Sequence, residues 1–211
     1  MSAVRTLILA SESPRRKDLL ARAGFFFHVF SVKVSENLEK NLTVDEQILQ
    51  IARRKAQASL ASYKSLKAEP FLMIAADTMV VLDGEPLGKP ANVEQAFEFL
   101  SRLSGKTHEV KTAVVLVEGP VVDASQTENL KMRQSVETTQ VQFRHLSEKE
   151  IHEYIESGEP LDKAGAYGIQ GLGGNFVAKI QGSYDNVVGL PMDLVQKLLR
   201  EGGWKLRTGN P

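Results

Sequence analysis

The chain has 211 residues, 42% of them hydrophobic and 25% charged, which is an ordinary globular composition with enough length for one large domain. Lysine and arginine together number 26, as do aspartate and glutamate, so the zero net charge gives no general support for binding nucleic-acid polymers or membranes. The absence of cysteine excludes disulfides, thiolate metal sites and a cysteine nucleophile.

The first strand and helix suggest an anion site. Residues 5–10 are expected to form a buried strand, after which Pro14 opens a helix. Arg15 and Arg16 lie in the first turn of that helix, where the helix dipole disfavours cations unless an anion compensates. Their guanidinium groups suit phosphate, although a capped surface helix explains the stretch equally well.

A second strand is predicted over residues 25–34, and Glu36 after it is a candidate carboxylate that, taken alone, is a solvated surface acid. The capping box of Thr43 and Glu46 opens a long helix. Lys55 falls on the apolar stripe of this helix, so its side chain either extends along the surface to solvent, which is the commoner case, or points into a site.

Strands are predicted over residues 71–76 and 79–82, with a hairpin turn at Asp83 and Gly84. Asp77 is expected where the first of these strands ends, among small residues. An accessible carboxylate there is suited to binding a divalent cation or to acting as a general base on water. The competing interpretation is an aspartate that simply begins a turn.

The second half of the chain predicts further elements: helices beginning after Asn92 and Ser147, strands over 110–117, 136–143, 177–180 and 184–188, and a final helix over 191–200. This alternation, with hairpins included, predicts an α/β protein with a mixed sheet and a single domain over residues 1–211, frayed from about 201 to 211. Neither a Rossmann glycine pattern nor a Walker lysine pattern is present.

Residues 163–174 are too rich in glycine for the interior of a strand or helix. Within them, Tyr167 and Gln170 have side chains that can recognise a ligand. An amide both donates and accepts hydrogen bonds, which matches the alternating edge of uracil or thymine. A flexible loop is the alternative, but the flanking residues favour a site.

Five motifs in this order together resemble the Maf family of nucleoside triphosphate pyrophosphatases, from about residue 7 to residue 199. They are Ser11-Glu-Ser-Pro-Arg15-Arg16, Ala76-Asp77-Thr78, Leu87-Gly-Lys89-Pro90, Asp162-Lys-Ala-Gly-Ala-Tyr-Gly-Ile-Gln170-Gly and Asn186-Val-Val-Gly-Leu-Pro191. Each motif alone is weak, but the combination is specific.

The resemblance implies an elongated fold shared with the inosine-triphosphate pyrophosphatase group, with two lobes around a cleft, and homodimers are common in the family. It implies cleavage of a nucleoside triphosphate to the monophosphate and diphosphate with a divalent metal, Mg²⁺ or Mn²⁺. The 7-methyl-GTP subgroup and a nucleotide-binding regulator of cell division or septum formation are the alternatives.

The resemblance also implies roles for individual residues. Asp77 corresponds to the catalytic base and, with Glu36, to the metal ligands. The positions that contact phosphate or metal correspond to Ser11, Arg16, Glu36, Lys55 and Lys89. The positions that separate pyrimidine members from the 7-methyl-GTP subgroup correspond to Arg15, Thr78 and Gln170, and this chain has the dTTP/UTP residues at all three.

The N-terminus lacks the apolar length and cleavage pattern of a secretory signal, and no stretch approaches the length of a membrane span. We therefore expect a cytoplasmic protein with a nucleotide as its partner, and neither a nucleic-acid polymer nor a membrane.

Overall fold

The structure is a computed structural model that describes residues 5–36, 41–63, 71–119 and 131–206. Its strands are β1 (Thr6–Leu9), β2 (Phe27–Val29), β3 (Phe71–Leu82), β4 (Glu85–Leu87), β5 (Thr107–Gly119), β6 (Met132–Phe143) and β7 (Val177–Gln181). Its α-helices are α1 (Pro14–Arg22), α2 (Val44–Ser62), α3 (Val93–Leu103), α4 (Glu148–Glu156), α5 (Tyr184–Val188) and α6 (Met192–Gly202). Short 3₁₀ turns span Glu159–Asp162, Ala164–Ala166 and Leu172–Phe176.

The seven strands form one sheet in the order β2-β1-β3-β5-β6-β7, with β4 paired to β3. Strand β1 runs parallel to both β2 and β3, whereas β4 is antiparallel to β3 and β7 is antiparallel to β6. The predicted α/β class with a mixed sheet is therefore confirmed.

The chain divides into two compact units, as far as their residues are described. The first comprises Met1–Asp77, Ala113–Val136 and Gly189–Pro211, and the second comprises Thr78–Thr112 and Glu137–Val188. Strand β1 and the apolar stripe of α2 are buried in the first unit. The second has a core of aliphatic and aromatic side chains from β4, α3, α4 and residues 163–174, the glycine-rich segment.

Local signals placed several elements correctly. Thr43 and Ser147 each accept a hydrogen bond from the N3 backbone N–H while the N3 glutamate bonds back, so the capping box predicted at Thr43 is present and Ser147 caps its helix as predicted. Asn92 also caps its helix, but the Gln95 side chain bonds the Ala91 N–H, so a full capping box is not formed there. The turn at Asp83 and Gly84 joins β3 to the antiparallel β4, and both residues have positive φ, as a two-residue hairpin turn requires.

Three expectations were wrong. The second strand is only Phe27–Val29 rather than residues 25–34. Asp77 does not end a strand, because β3 runs without interruption from Phe71 to Leu82. Residues 184–188 are helical rather than extended, and the Ser183 hydroxyl accepts a hydrogen bond from the Asn186 N–H at the start of that turn (3.2 Å).

Near the C-terminus, α6 continues to Gly202 and the Trp204 side chain is buried. The segment expected to fray is described only as far as residue 206, and residues 207–211 lie outside the described part of the chain. Among the helices described, none has both the length and the apolar character needed to cross a lipid bilayer.

Candidate active site

Two carboxylates converge on one lysine in the first unit. The Lys55 Nζ lies 2.6 Å from Glu36 Oε1 and 2.6 Å from Asp77 Oδ1. Helix α2 brings Lys55 to this place because its apolar stripe is buried, and only 17% of the lysine side chain is exposed. The sequence allowed the Lys55 side chain either to extend to solvent or to point into a site. The structure shows the latter, because the ammonium group lies in a cluster of charges.

Asp77 is the most buried carboxylate of this cluster, with 9% of its surface exposed. It lies within β3, after the residues that pair with β1 and before those that pair with β4. Burial raises the pKa of Asp77, while Lys55 and Arg16 beside it act in the opposite direction. A raised pKa makes the ionised carboxylate a better proton acceptor, as a general base requires.

Arg16 is also buried, and its guanidinium group is held by the backbone. Its Nε donates to the Gly189 carbonyl (2.8 Å), and its Nη1 donates to the Ala76 carbonyl (2.8 Å) and to the Ser11 hydroxyl (3.2 Å). Burial lowers the pKa of Arg16, and the carboxylate of Asp77 opposes that shift. A guanidinium group stays protonated in proteins, so Arg16 supplies a fixed positive charge near Asp77.

Three other predicted residues present side chains with no hydrogen bond or ion pair to another residue that the structure describes. Arg15 is half-buried beside Arg16, whereas Lys89 and Gln170 are exposed. Lys89 follows Gly88, whose carbonyl accepts a hydrogen bond from the Gly165 N–H (3.0 Å). This bond ties the turn that carries Lys89 to the glycine-rich segment that carries Gln170.

Thr78 begins a network of polar groups in the second unit. Its hydroxyl lies 3.0 Å from the Thr112 hydroxyl, which donates to the Asn186 carbonyl (3.1 Å). The buried Asn186 amide in turn donates to the Val110 carbonyl (2.8 Å) and to the Thr139 hydroxyl (2.9 Å). The sequence motifs include Asn186 but not Thr112, because a single threonine inside a predicted strand carries no signal of its own.

The donor set of the cluster fits a divalent cation. Glu36 and Asp77 both approach one cationic centre, and Mg²⁺ is usually bound by one or two carboxylates together with substrate phosphates and water. Within the described ranges, no group of three or more His, Cys, Asp or Glu side chains is arranged to hold a metal.

The structure thus brings together Ser11, Arg16, Glu36, Lys55 and Asp77, all in the first unit, with Arg15 next to Arg16. The other three predicted residues, Thr78, Lys89 and Gln170, belong to the second unit.

The chain matches a protein family and several known proteins over nearly its whole length. The model of the Maf family, described as Maf-like protein, matches residues 6–202. A protein of Bdellovibrio bacteriovorus named dTTP/UTP pyrophosphatase is 56% identical over 194 residues, which covers 92% of this chain and 96% of that protein. A protein of Vibrio vulnificus with the same name is 44% identical, covering 92% of this chain and 97% of the relative.

Among solved structures, the Ham1 protein of Staphylococcus aureus has a TM-score of 0.40 at 17% identity and covers 93% of this chain and 99% of its own. The fold class assigned above rests on the sheet itself and not on this likeness.

Proposed function

The chain belongs to the Maf family, and from that premise we propose that it hydrolyses dTTP and UTP to the nucleoside monophosphate and diphosphate. Relatives that match nearly its whole length carry the name of that activity. The observation that carries the proposal for this chain is the buried Asp77 beside Lys55 and Arg16, because a base next to fixed positive charge suits the cleavage of a phosphoanhydride.

The reaction adds water across the anhydride bond between the α and β phosphates. Asp77 takes the proton of the attacking water, whose oxygen becomes part of the monophosphate, and the diphosphate leaves. Lys55 stabilises the negative charge that develops on the phosphates, and Arg16 fixes the carbonyl just before Asp77. We assign Ser11, Arg16 and Lys89 to phosphate binding, and Arg15, Thr78 and Gln170 to the choice of base.

Glu36 and Asp77 are the residues that would hold a divalent cation, Mg²⁺ or Mn²⁺. When bound, such an ion polarises phosphoryl oxygens and neutralises part of their charge. The convergence of both carboxylates on the Lys55 ammonium group supports this assignment.

The experiment is a substrate comparison with purified protein. dTTP, UTP, CTP, GTP and 7-methyl-GTP are each supplied with Mg²⁺ or Mn²⁺, and diphosphate release is measured. We expect dTTP and UTP to give the highest kcat/KM. Failure to hydrolyse any nucleotide would overturn the proposal, and a preference for 7-methyl-GTP would overturn the choice of base.

Asp77→Asn tests the assignment of the base. We expect kcat to fall by about 10²–10⁴-fold, the usual contribution of a general base, with the fold retained by circular dichroism. Asp83→Asn, in the exposed hairpin turn, is the matched control and should keep the normal rate. Near-normal turnover of Asp77→Asn would remove this carboxylate from the mechanism.

We also propose, from the family resemblance alone, that the protein forms a homodimer and acts in the cytoplasm. Size-exclusion chromatography with light scattering tests the first of these, and cell fractionation tests the second.

A further inference from the structure

Glu159, which the sequence motifs did not single out, binds the glycine-rich segment on the C-terminal side of Gln170. Its Oε2 accepts a hydrogen bond from the Leu172 N–H (2.9 Å), and its Oε1 accepts one from the Gly173 N–H (3.3 Å). One half-buried carboxylate therefore holds two consecutive backbone N–H groups.

Tyr154 completes the arrangement on the N-terminal side. Its hydroxyl donates to Glu159 Oε1 (2.8 Å) and accepts from the Gly168 N–H (3.2 Å). Burial raises the pKa of Tyr154 far above its ordinary value, so the phenol stays protonated and remains a donor to Glu159. The pair of Tyr154 and Glu159 thus binds backbone on both sides of Gln170.

Gln170 lies in the tight turn between these anchors. The Gly171 N–H donates to the Gly168 carbonyl (3.2 Å), which closes the turn around Ile169 and Gln170. The Gln170 side chain is exposed, and its amide makes no hydrogen bond to another described residue. The backbone of the turn is therefore fixed while the amide is available to a ligand.

Two glycines are required by the close approach of this pair. A Cβ at Gly171 would lie 2.3 Å from Glu159 Oε2, and a Cβ at Gly173 would lie 2.7 Å from the Tyr154 hydroxyl. Neither distance is possible for a real side chain, so the glycines let the backbone come within hydrogen-bond reach of the two polar groups. The glycine density that marked this segment in the sequence thus has a specific cause at these positions.

We propose that Glu159, acting with Tyr154, is a positioning residue that sets the place of the Gln170 amide against the base of the bound nucleotide. This inference rests on the proposed function, because it assumes that Gln170 recognises the base. An amide discriminates between bases only if its donor and acceptor meet theirs at hydrogen-bond distance, so a turn that shifts loses that discrimination.

The test compares Glu159→Gln and Tyr154→Phe with the native protein. The first substitution places an amide NH₂ against backbone donors, and the second leaves the Gly168 N–H without its acceptor. In both variants we expect the KM for UTP to rise by about tenfold, as the loss of one buried hydrogen-bond partner implies, with kcat nearly unchanged. We also expect the preference for UTP over CTP to fall.

Glu156→Gln is the matched control, because Glu156 is an exposed glutamate at the end of α4. It should leave both KM and the UTP preference unchanged.

A double-mutant cycle distinguishes positioning from a general structural effect. If Glu159 acts through Gln170, the variant that carries both Glu159→Gln and Gln170→Ala should be no worse for UTP than Gln170→Ala alone. Additive losses, or an unchanged KM and UTP preference in Glu159→Gln, would overturn the inference while the proposed function stands. An inactive native protein would overturn both.

Discussion

At the scale of the residue, adjacent arginines in the first turn of α1 have different surroundings. Arg16 is buried and bonded to the carbonyls of Gly189 and Ala76, whereas the Arg15 side chain makes no hydrogen bond or ion pair to a described residue. A guanidinium group donates from three nitrogens in one rigid plane and so reaches acceptors on different sides, whereas an ammonium group donates from a single nitrogen. The Arg16 side chain therefore stabilises the fold through these bonds, whereas the Arg15 side chain does not.

We predict that Arg16→Lys lowers the free energy of unfolding by about 1–3 kcal/mol, because at least one buried carbonyl loses its donor. It should also lower kcat/KM, since the Ala76 carbonyl directly precedes Asp77. Denaturant unfolding and steady-state kinetics measure the two effects. Arg15→Lys is the comparison and should leave the free energy of unfolding unchanged. An equal loss of stability in the two variants would contradict the different roles of the two arginines.

Thr112 fixes the direction of the hydrogen bond made by Thr78. A carbonyl only accepts, so the single Thr112 proton goes to the Asn186 carbonyl, and the Thr78 hydroxyl must donate to Thr112. In the proposed role of Thr78, its oxygen then accepts a hydrogen bond from the base. Uracil and thymine present a donor at N3, whereas cytosine presents an acceptor there.

We predict that Thr112→Val releases the Thr78 proton, so that this hydroxyl can also donate. The ratio of kcat/KM for UTP to that for CTP should then fall several-fold, within the range expected for one hydrogen bond. Thr138→Val, at an exposed position of β6, should not change the ratio. A ratio that stays constant in Thr112→Val would mean that Thr78 does not read the base through its hydroxyl.

At the scale of the element, β5 is joined to the glycine-rich segment by a buried aromatic group. His108 of β5 lies 2.9 Å from the Tyr167 hydroxyl through its Nε2, and the Phe143 ring makes edge contacts with both rings. Burial lowers the pKa of His108 from 6.5 to about 4, so the ring is neutral at pH 7.

This shift predicts acid sensitivity. Between pH 6.5 and pH 4 the unfolded chain binds a proton at His108 that the folded chain does not, so stability falls as the pH falls through this window. The loss attributable to His108 should approach about 3 kcal/mol at pH 4. Urea unfolding from pH 7 to pH 4.5 should show a weaker pH dependence in His108→Gln than in the native protein.

His152→Gln provides the control for that experiment, because His152 is exposed on α4, where its ring stacks on Phe97. It should keep the native pH dependence. The same slope in His108→Gln as in the native protein would show that the buried ring does not control acid stability.

At the scale of the whole molecule, the first unit joins segments from opposite ends of the chain. Trp204, the only tryptophan, donates from Nε1 to Glu118 Oε2 (2.8 Å), and the other oxygen of Glu118 pairs with Arg5. The Lys131 Nζ donates to the Gly202 carbonyl (2.6 Å) and lies 5.3 Å from the centre of the Trp204 ring.

We predict that Trp204→Ala lowers the free energy of unfolding by about 3–5 kcal/mol, because a large buried ring and its hydrogen bond are lost together. Unfolding is followed by circular dichroism, since the variant lacks the tryptophan signal. Trp204→Phe keeps most of the packing and should lose clearly less. If Trp204→Ala were as stable as the native protein, the C-terminal residues would not be a structural part of the first unit.

The sequence by itself determined the features whose causes are local. The capping boxes at Thr43 and Ser147 and the hairpin turn at Asp83 involve residues close together in the chain, so their composition alone specifies them. The alternation of strands and helices likewise predicted the mixed sheet, and the motifs predicted the family.

Only the tertiary structure decided the features that depend on distant partners. Asp77 lies inside a strand because β1 pairs with β3 before it and β4 pairs after it, and no local signal encodes those two partners. Residues 184–188 form a helix rather than the predicted strand, and the Ser183 N–H and the Asn186 amide both donate to the distant Thr139 hydroxyl of β6, a partner that no local signal encodes. Glu36 and Asp77 contact Lys55, and Glu159 bonds the backbone of the glycine-rich segment. Sequence spacing does not predict these contacts, because folding brings together residues that are far apart in the chain.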